Sequence, residues 1–306
     1  MQQLQCMEIW GGNQHAEECI QLAGIDAWVY SRPHEDATDG GDVHYLSSCA
    51  TGRITRLLLA DVSGHGQSVA TIAGHLRTLM RRYVNYINQN RFLAELNQEF
   101  MQRASQGRFA TALAMTYFAP TNELAVCNAG HPRPIIYRAA TGKWSLMLET
   151  DTADGEAINI PLGITDEAQY RPYQVQLACG DRLLCYTDSL IETRCADASF
   201  LGEQALCDIL NTVMLHDDAN IIAELLQRIE QHTGNAPTDD DLTVMLVKPT
   251  VISYKVPLAQ RLRAPWLLVK GIVKAVRRSD YPLPATEMTL RNIGGALFDA
   301  LNRSRF

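Results

Sequence analysis

Ala60-Asp61-Val62-Ser63-Gly64-His65-Gly66 ends the apolar run Ile54 to Ala60 with a carboxylate and a turn of small residues. Apolar side chains then recur at Val69, Ile72, Ala73, Leu76, Leu79, Met80, Tyr83 and Val84, the three- and four-residue step of an amphipathic helix. The order is therefore strand, acid, glycine turn, helix. An acid at a strand end suits a hard cation or a phosphate, because the glycines let other groups approach and a helix start tolerates negative charge. Standing alone, the same acid reads as an ordinary helix cap.

It does not stand alone. Asp42 follows Gly40-Gly41, Asp188 ends the apolar run Leu183 to Thr187, and Asp240-Asp241 precedes the run Leu242 to Val247. Four probe points thus flank four expected core strands. If these acids converge, their mutual repulsion demands divalent metal; if they are scattered, they are only solvated strand ends.

Further along the chain, a second amphipathic pattern from Asn90 to Ala104 carries Phe92, Leu93, Leu96, Phe100 and Met101 on one face. Strand-like runs follow at Phe109 to Phe118, Leu124 to Asn128, Pro134 to Tyr137 and Trp144 to Leu148, divided by turn signals at Pro120-Thr121-Asn122 and Thr141-Gly142. Ile25 to Tyr30, Tyr173 to Leu177 and Arg182 to Thr187 read as further strands, Asp151 to Glu156 as a loop, and Leu201 to Leu215 and Ala219 to His232 as helices. Residues 1–24 hold Trp10-Gly11-Gly12-Asn13 and a short helix-like piece at Glu17 to Leu22. Helices clustered in two places among antiparallel strands indicate an α+β layered domain.

Six stretches occur here in the order found in the PPM family of metal-dependent protein serine/threonine phosphatases. They are Gly40-Gly41-Asp42, Asp61 to Gly66, Arg108-Phe109-Ala110-Thr111, Asn128-Ala129-Gly130-His131-Pro132, Tyr186-Thr187-Asp188 and Asp240-Asp241-Leu242-Thr243. The chain most resembles the bacterial SpoIIE-like branch, which includes RsbU-type enzymes. The resemblance covers roughly residues 25 to 248, and six ordered motifs are far more specific than any one.

The resemblance implies an αββα sandwich, with two central, mainly antiparallel sheets flanked by helices. It also implies two Mn2+ or Mg2+ ions and a water between them that attacks the phosphorus of phosphoserine or phosphothreonine. Carried over by motif, Asp61 bridges both ions, Asp188 and Asp240 bind the buried one, Asp42 supports the cluster, and Val62 adds its backbone carbonyl. His65 is open between proton donor to the leaving alkoxide and helix-start group, whereas His131 reads as structural. Asp36 and Asp39 are rival acids that fit solvated loop positions better. The branch further implies a signalling role in which a phosphorylated regulatory protein, of the anti-sigma-factor-antagonist type, is the substrate. The rival reading is a pseudophosphatase that binds a phosphoprotein without turning it over. Two departures bear on this: Ser189 stands where the family usually has glycine, and only Arg32 and Arg133 suggest themselves as phosphate-binding cations.

Bulk properties set the remaining bounds. The 306 residues are 46% hydrophobic, enough for a sizeable core, and the net charge of −7 gives no basis for nucleic-acid binding. No apolar run is long enough to span a bilayer, and the first residues lack the basic and apolar regions of a secretory signal, so a cytoplasmic location is expected. The eight cysteines lack CxxC pairing, and Cys127, Cys179, Cys185 and Cys207 in apolar runs read as small buried thiols. Residues 251–306 hold ten Lys or Arg against three acids, +7, which leaves −14 for the first 250. The expected organisation is an N-terminal segment 1–24, a phosphatase domain 25–249 and a basic C-terminal extension 250–306. Within the extension, residues 258–279 place Trp266, Val269, Ile272, Val273 and Val276 opposite Lys270, Lys274, Arg277 and Arg278 on a projected helix. Docking on its own acidic domain is the favoured reading, with an anionic membrane surface or a partner as alternatives.

Overall fold

The structure, a computed structural model, describes residues 2–3, 9–34, 37–48, 53–64, 67–83, 88–103, 107–147, 158–234 and 240–250. The basic C-terminal segment, His65 and the expected loop Asp151 to Glu156 lie outside the described residues.

Two sheets form the centre. One has seven strands, β1 (Gln2–Gln3), β3 (Ala16–Leu22), β4 (Ile25–Arg32), β13 (Leu242–Pro249), β12 (Arg182–Tyr186), β9 (Ile135–Arg138) and β10 (Lys143–Leu146), in that order across the sheet. The other has six, β11 (Tyr173–Gln176), β8 (Glu123–Ala129), β7 (Ala110–Phe118), β6 (Ile54–Val62), β5 (Asp42–Ser48) and β2 (Ile9–Gly12). All pairings are antiparallel except the two-residue contact of β1 with β3. Helices α1 (Gln67–Tyr83) and α2 (Gln89–Arg103) cover the six-stranded sheet, and α3 (Gly202–Leu210) and α4 (Ile221–Thr233) cover the seven-stranded one. The expected αββα layering is therefore present.

The two-residue period of the strands explains why their apolar runs are continuous. Leu57 and Leu59 of β6 point between the sheets and meet Met245 and Val247 of β13. Leu58 and Ala60 point outward against Leu76 of α1 and Leu96 of α2, while Val244 and Leu246 pack on Leu206 of α3 and Leu225 of α4. Strands covered on both faces need apolar side chains at every position, and burying each leucine contributes about 1.5–3 kcal/mol.

Three expectations are corrected. The helix-like piece at Glu17 to Leu22 is strand β3, because the turn at Gly24 (φ 78°) folds it back on β4 in a seven-residue ladder that buries Ile20 and Leu22. The helix expected to run to Leu215 stops at Leu210. There Asn211 donates from Nδ2 to the Cys207 and Trp144 carbonyls and accepts the Trp144 N–H at 2.9 Å, exchanging the next helical turn for a dock on β10. Cys179 lies exposed at the turn before β12, whereas Cys127, Cys185 and Cys207 are buried as expected.

Candidate active site

The antiparallel register of β5 and β6 sets Asp42 directly opposite Asp61, and β7 places Thr111 on the other side of Asp61. In the second sheet β12 and β13 are antiparallel neighbours, so Asp188, just past the end of β12, and Asp240, just before β13, emerge at the same end. The Thr187 hydroxyl links the sheets there: it donates to Asp42 Oδ2 at 2.9 Å and accepts the Thr243 N–H at 2.9 Å. The four acids singled out from sequence thus converge on one end of the sandwich.

Their electrostatics show the proximity. Burial, then the charges of Asp188, Asp240, Asp241 and Glu192, push the Asp61 carboxyl up to about 8. Burial, then Glu192 and Asp240, push Asp188 up to about 6. Burial and the Asp61 charge raise Asp42 well above the carboxylate range, against the opposing hydrogen bonds from Thr243 and Thr187. The acids feel one another without surrounding a single point: among the described residues, no three histidine, cysteine or acidic side chains stand close enough to ligate a common ion.

The residues nevertheless fit a divalent cation. Asp42 is 3% exposed, and its Oδ1 is buried without a hydrogen-bond partner while Oδ2 is taken by Thr187. A buried, unsatisfied carboxylate oxygen facing further acids is costly unless a cation meets it. The Val62 carbonyl lies beside Gly41, the residue before Asp42: a Cβ added to Gly41 would stand 3.1 Å from it.

Several residues escaped the sequence reading. Asp241 accepts the His34 N–H at 2.6 Å and the Gly41 N–H at 2.5 Å, so it fastens the loop ahead of Asp42. Glu192 adds a charge to the cluster, and its position four residues after Asp188 was the only available signal. Arg108 lies across the Ser63–Gly64 turn: the Ser63 N–H donates to the Phe109 carbonyl at 2.9 Å, and a Cβ on Gly64 would be 3.8 Å from Arg108 Nη1. Arg133, a sequence candidate for phosphate contact, is instead committed to Glu203 of α3 through its Nε at 2.8 Å and Nη2 at 2.5 Å. Arg32 is exposed at the end of β4, opposite Leu242. Asp39 sits in the loop beyond His34, and Asp36 lies outside the described residues.

His131 is buried and its imidazole is pushed down to about 3 by burial, so it stays neutral. Its Nδ1 pairs with the Thr111 hydroxyl at 2.8 Å, and Asn128 brackets its backbone from both sides. Gly130 (φ 68°) packs so closely on Pro161 that a Cβ would be 2.4 Å from the ring. The motif around His131 therefore builds a rigid turn behind Asp61. Ser189 takes part in a 3-10 turn, Asp188–Leu190, and is absent from the residues with positive φ, so this turn does not call on glycine's freedom.

Two antiparallel sheets flanked by four helices match the PP2C α+β sandwich of solved phosphatase domains. The sequence model of the Stage II sporulation protein E (SpoIIE) family matches residues 51–250, and the chain belongs to that family. The family is one of PP2C-type serine/threonine phosphatases, and these are metal-dependent. The phosphoserine phosphatase RsbP of Bacillus subtilis (strain 168) is 22% identical over 200 residues, 62% of this chain and 45% of RsbP. The chain thus matches less than half the length of that curated relative. The RsbU and RsbW domains of Rv1364c from Mycobacterium tuberculosis share the fold with a TM-score of 0.61 at 23% identity, over 84% of this chain and 72% of that one. The phosphatase domain of SpoIIE from Bacillus subtilis, solved with a fragment of its regulatory domain, matches with a TM-score of 0.61 at 14% identity, over 79% and 71%.

Proposed function

We propose that this chain hydrolyses phosphoserine or phosphothreonine on a regulatory protein by direct attack of water on phosphorus at a centre of two Mn2+ or Mg2+ ions. The observation that carries this reading is the convergence of Asp42, Asp61, Asp188 and Asp240 from two sheets, where burial and mutual repulsion disfavour the charged carboxylates of Asp61 and Asp42 unless a cation or a proton joins them. Such ions, when bound, lower the pKa of water and neutralise phosphate charge. Asp61 would serve both ions, Asp188 and Asp240 would hold the inner one, and Asp42 and the Val62 carbonyl would complete the set. Arg108, across the turn that follows Asp61, is the cation assigned to the substrate phosphate. His65 or solvent supplies the proton to the leaving alkoxide.

The name of the RsbP relative supports phosphoserine, and the resemblance to the RsbU-type branch supports an anti-sigma-factor antagonist as the phosphoprotein. A cytoplasmic location is part of the proposal; among the described residues no helix is long and apolar enough to cross a membrane. The arrangement 1–24, 25–249 and 250–306 is likewise proposed, with the strands β1 to β3 of the first segment contributing to both sheets. The pseudophosphatase alternative rested on Ser189, whose ordinary backbone withdraws its support.

The test is turnover of a phosphoserine peptide and of a generic phosphate ester. Activity is expected with Mn2+, absent in chelator, and reduced at least about 100-fold in Asp61→Asn and in Asp188→Asn. Undiminished turnover in chelator refutes the two-ion centre. Metal-dependent peptide binding without turnover assigns the chain to the phosphoprotein readers.

A further inference from the structure

The stretch Trp10-Gly11-Gly12-Asn13 is not used by the chemistry above, and it lies outside the family match at residues 51–250. Its backbone is nevertheless specialised. Gly11 has φ 128°, and a Cβ there would come within 2.2 Å of the His44 carbonyl oxygen on β5, so only glycine allows β2 to run this close. The result is to deliver Asn13, 3% exposed, to the loop that precedes Asp42.

Asn13 grips one residue of that loop, Gly40, through the peptide groups on both its sides. Its carbonyl accepts the Gly40 N–H at 2.7 Å, and its Nδ2 donates to the Gly40 carbonyl at 3.0 Å, with the Ala70 carbonyl of α1 at 3.5 Å. From the other side Asp241 accepts the N–H groups of His34 and Gly41. The fit leaves no room: a Cβ on Gly40 would be 2.6 Å from Asp241 Oδ1, and one on Gly41 would be 2.8 Å from Val69 Cγ1. The next residue is Asp42, with one oxygen tied to Thr187 and the other buried and unpartnered.

We propose that Asn13 and Asp241 are positioning residues, a two-sided clamp on Gly40–Gly41 that fixes the direction of the open Asp42 oxygen and thereby sets the affinity of the centre for its cation. The proposal rests on the metal reading of the site. It follows from the order of restraints: Thr187 fixes one carboxylate oxygen, so the position of the other is governed by the backbone of residues 40–42, where Asn13 holds Gly40 and Asp241 holds the Gly41 N–H, while the Gly41 carbonyl accepts the Val62 N–H at 3.3 Å and Asp42 pairs with Asp61. Partners that orient a ligand typically change metal affinity by about 10–100-fold when removed.

The experiment measures Mn2+ binding directly, from the paramagnetic resonance of the free ion, on the full chain and on Asn13→Ala, Asp241→Asn, Asp42→Asn and Asp61→Asn. Melting in chelator and the Mn2+ dependence of turnover accompany it. Asn13→Ala and Asp241→Asn are each expected to weaken binding about tenfold. Turnover should recover at saturating Mn2+, and melting in chelator should move by only a few degrees. In an Asp42→Asn background, Asn13→Ala should weaken binding by less than about twofold, because the residue it orients is gone. Folded Asn13→Ala that binds Mn2+ like the parent overturns the clamp, as does an undiminished effect in the Asp42→Asn background. A loss confined to Asp241→Asn also overturns it, and makes Asp241 a plain ligand. Should Asn13→Ala fail to fold, Asn13→Ser carries the same test. A parent chain that binds no Mn2+ removes both this proposal and the metal reading, whereas Asp61-dependent binding that ignores Asn13 removes the clamp alone.

Discussion

Replacing Asp61 by asparagine is expected to abolish turnover and yet to stabilise the protein in chelator. The Asp61 carboxyl is pushed from 3.8 up to about 8, chiefly by burial and then by four neighbouring acids. Between those two values the folded chain holds a proton that the unfolded chain has released, so folding stability falls as pH rises, by about 1.4 kcal/mol per unit. Across the whole window this amounts to at most about 6 kcal/mol, an upper bound because the neighbouring acids titrate together with Asp61. Asparagine has nearly the same shape and no charge to desolvate. Asp61→Asn should therefore raise the melting temperature in chelator at pH 8 by several degrees. The gain should shrink to at most about 1.7 kcal/mol at pH 5, about 1.2 units above the ordinary value of 3.8, where the parent carboxyl is protonated in the fold. Saturating Mn2+ should reverse the order, since the parent gains binding free energy that the variant forgoes. Thermal melts from pH 5 to pH 8, with chelator and with Mn2+, measure all three effects. A variant less stable than the parent in chelator at pH 8, or a gain equal at pH 5 and pH 8, refutes the assignment of Asp61 to a repulsive, buried acid cluster.

Other outcomes follow from the same geometry. Ser189→Gly should leave turnover within about twofold, because the turn already has ordinary φ; a large gain on a phosphoserine peptide would restore the pseudophosphatase reading. Arg108→Ala should raise KM for a phosphopeptide about tenfold or more with an unchanged Mn2+ requirement, and an unaltered KM would take the phosphate away from this side chain. Removal of residues 251–306 should lower the melting temperature or change turnover if the basic segment docks on its own domain. Unchanged values, with only the full chain sedimenting with anionic liposomes, would make that segment a membrane device.

Much of the fold was legible because strands covered on both faces leave a plain mark. The runs Ile54 to Ala60 and Leu242 to Val247 are mostly apolar and carry acids at one end, Asp61 after the first and Asp240-Asp241 before the second, so both the strand and its functional end can be read from them. Helices α1, α2 and α4 followed from their three- and four-residue steps. Local pattern failed where a distant partner decided the outcome: β3 is short enough to fit either period, and its ladder with β4 settled the matter, while Asn211 ended α3 by reaching β10. The acids of the site were legible as strand ends, but their supports were not. Asp241 looks like a second copy of Asp240, and only its bonds to His34 and Gly41 show that it faces the other way. Arg133 and Arg108 are equally plausible as cations in sequence. Glu203 claims the first, and the pairing of Ser63 with Phe109 brings the second to the turn beside Asp61.

The Thr187–Asp42 and Asp241–Gly41 hydrogen bonds at the acid end, and Tyr117 to the Gly24 carbonyl elsewhere, tie two leaves whose broad contact is made by side chains such as Leu57 and Met245, which have no preferred direction along the strands. Apolar contact resists separation of the leaves far better than it resists sliding. Because Asp42 and Asp61 ride on one leaf and Asp188 and Asp240 on the other, the site behaves as a vernier: a small slip between sheets becomes a change in the spacing of charges. A core substitution far from the acids, such as Leu57→Val, should then register in Mn2+ affinity as well as in melting temperature, and whatever pushes on one leaf from outside gains a mechanical handle on the chemistry at its end.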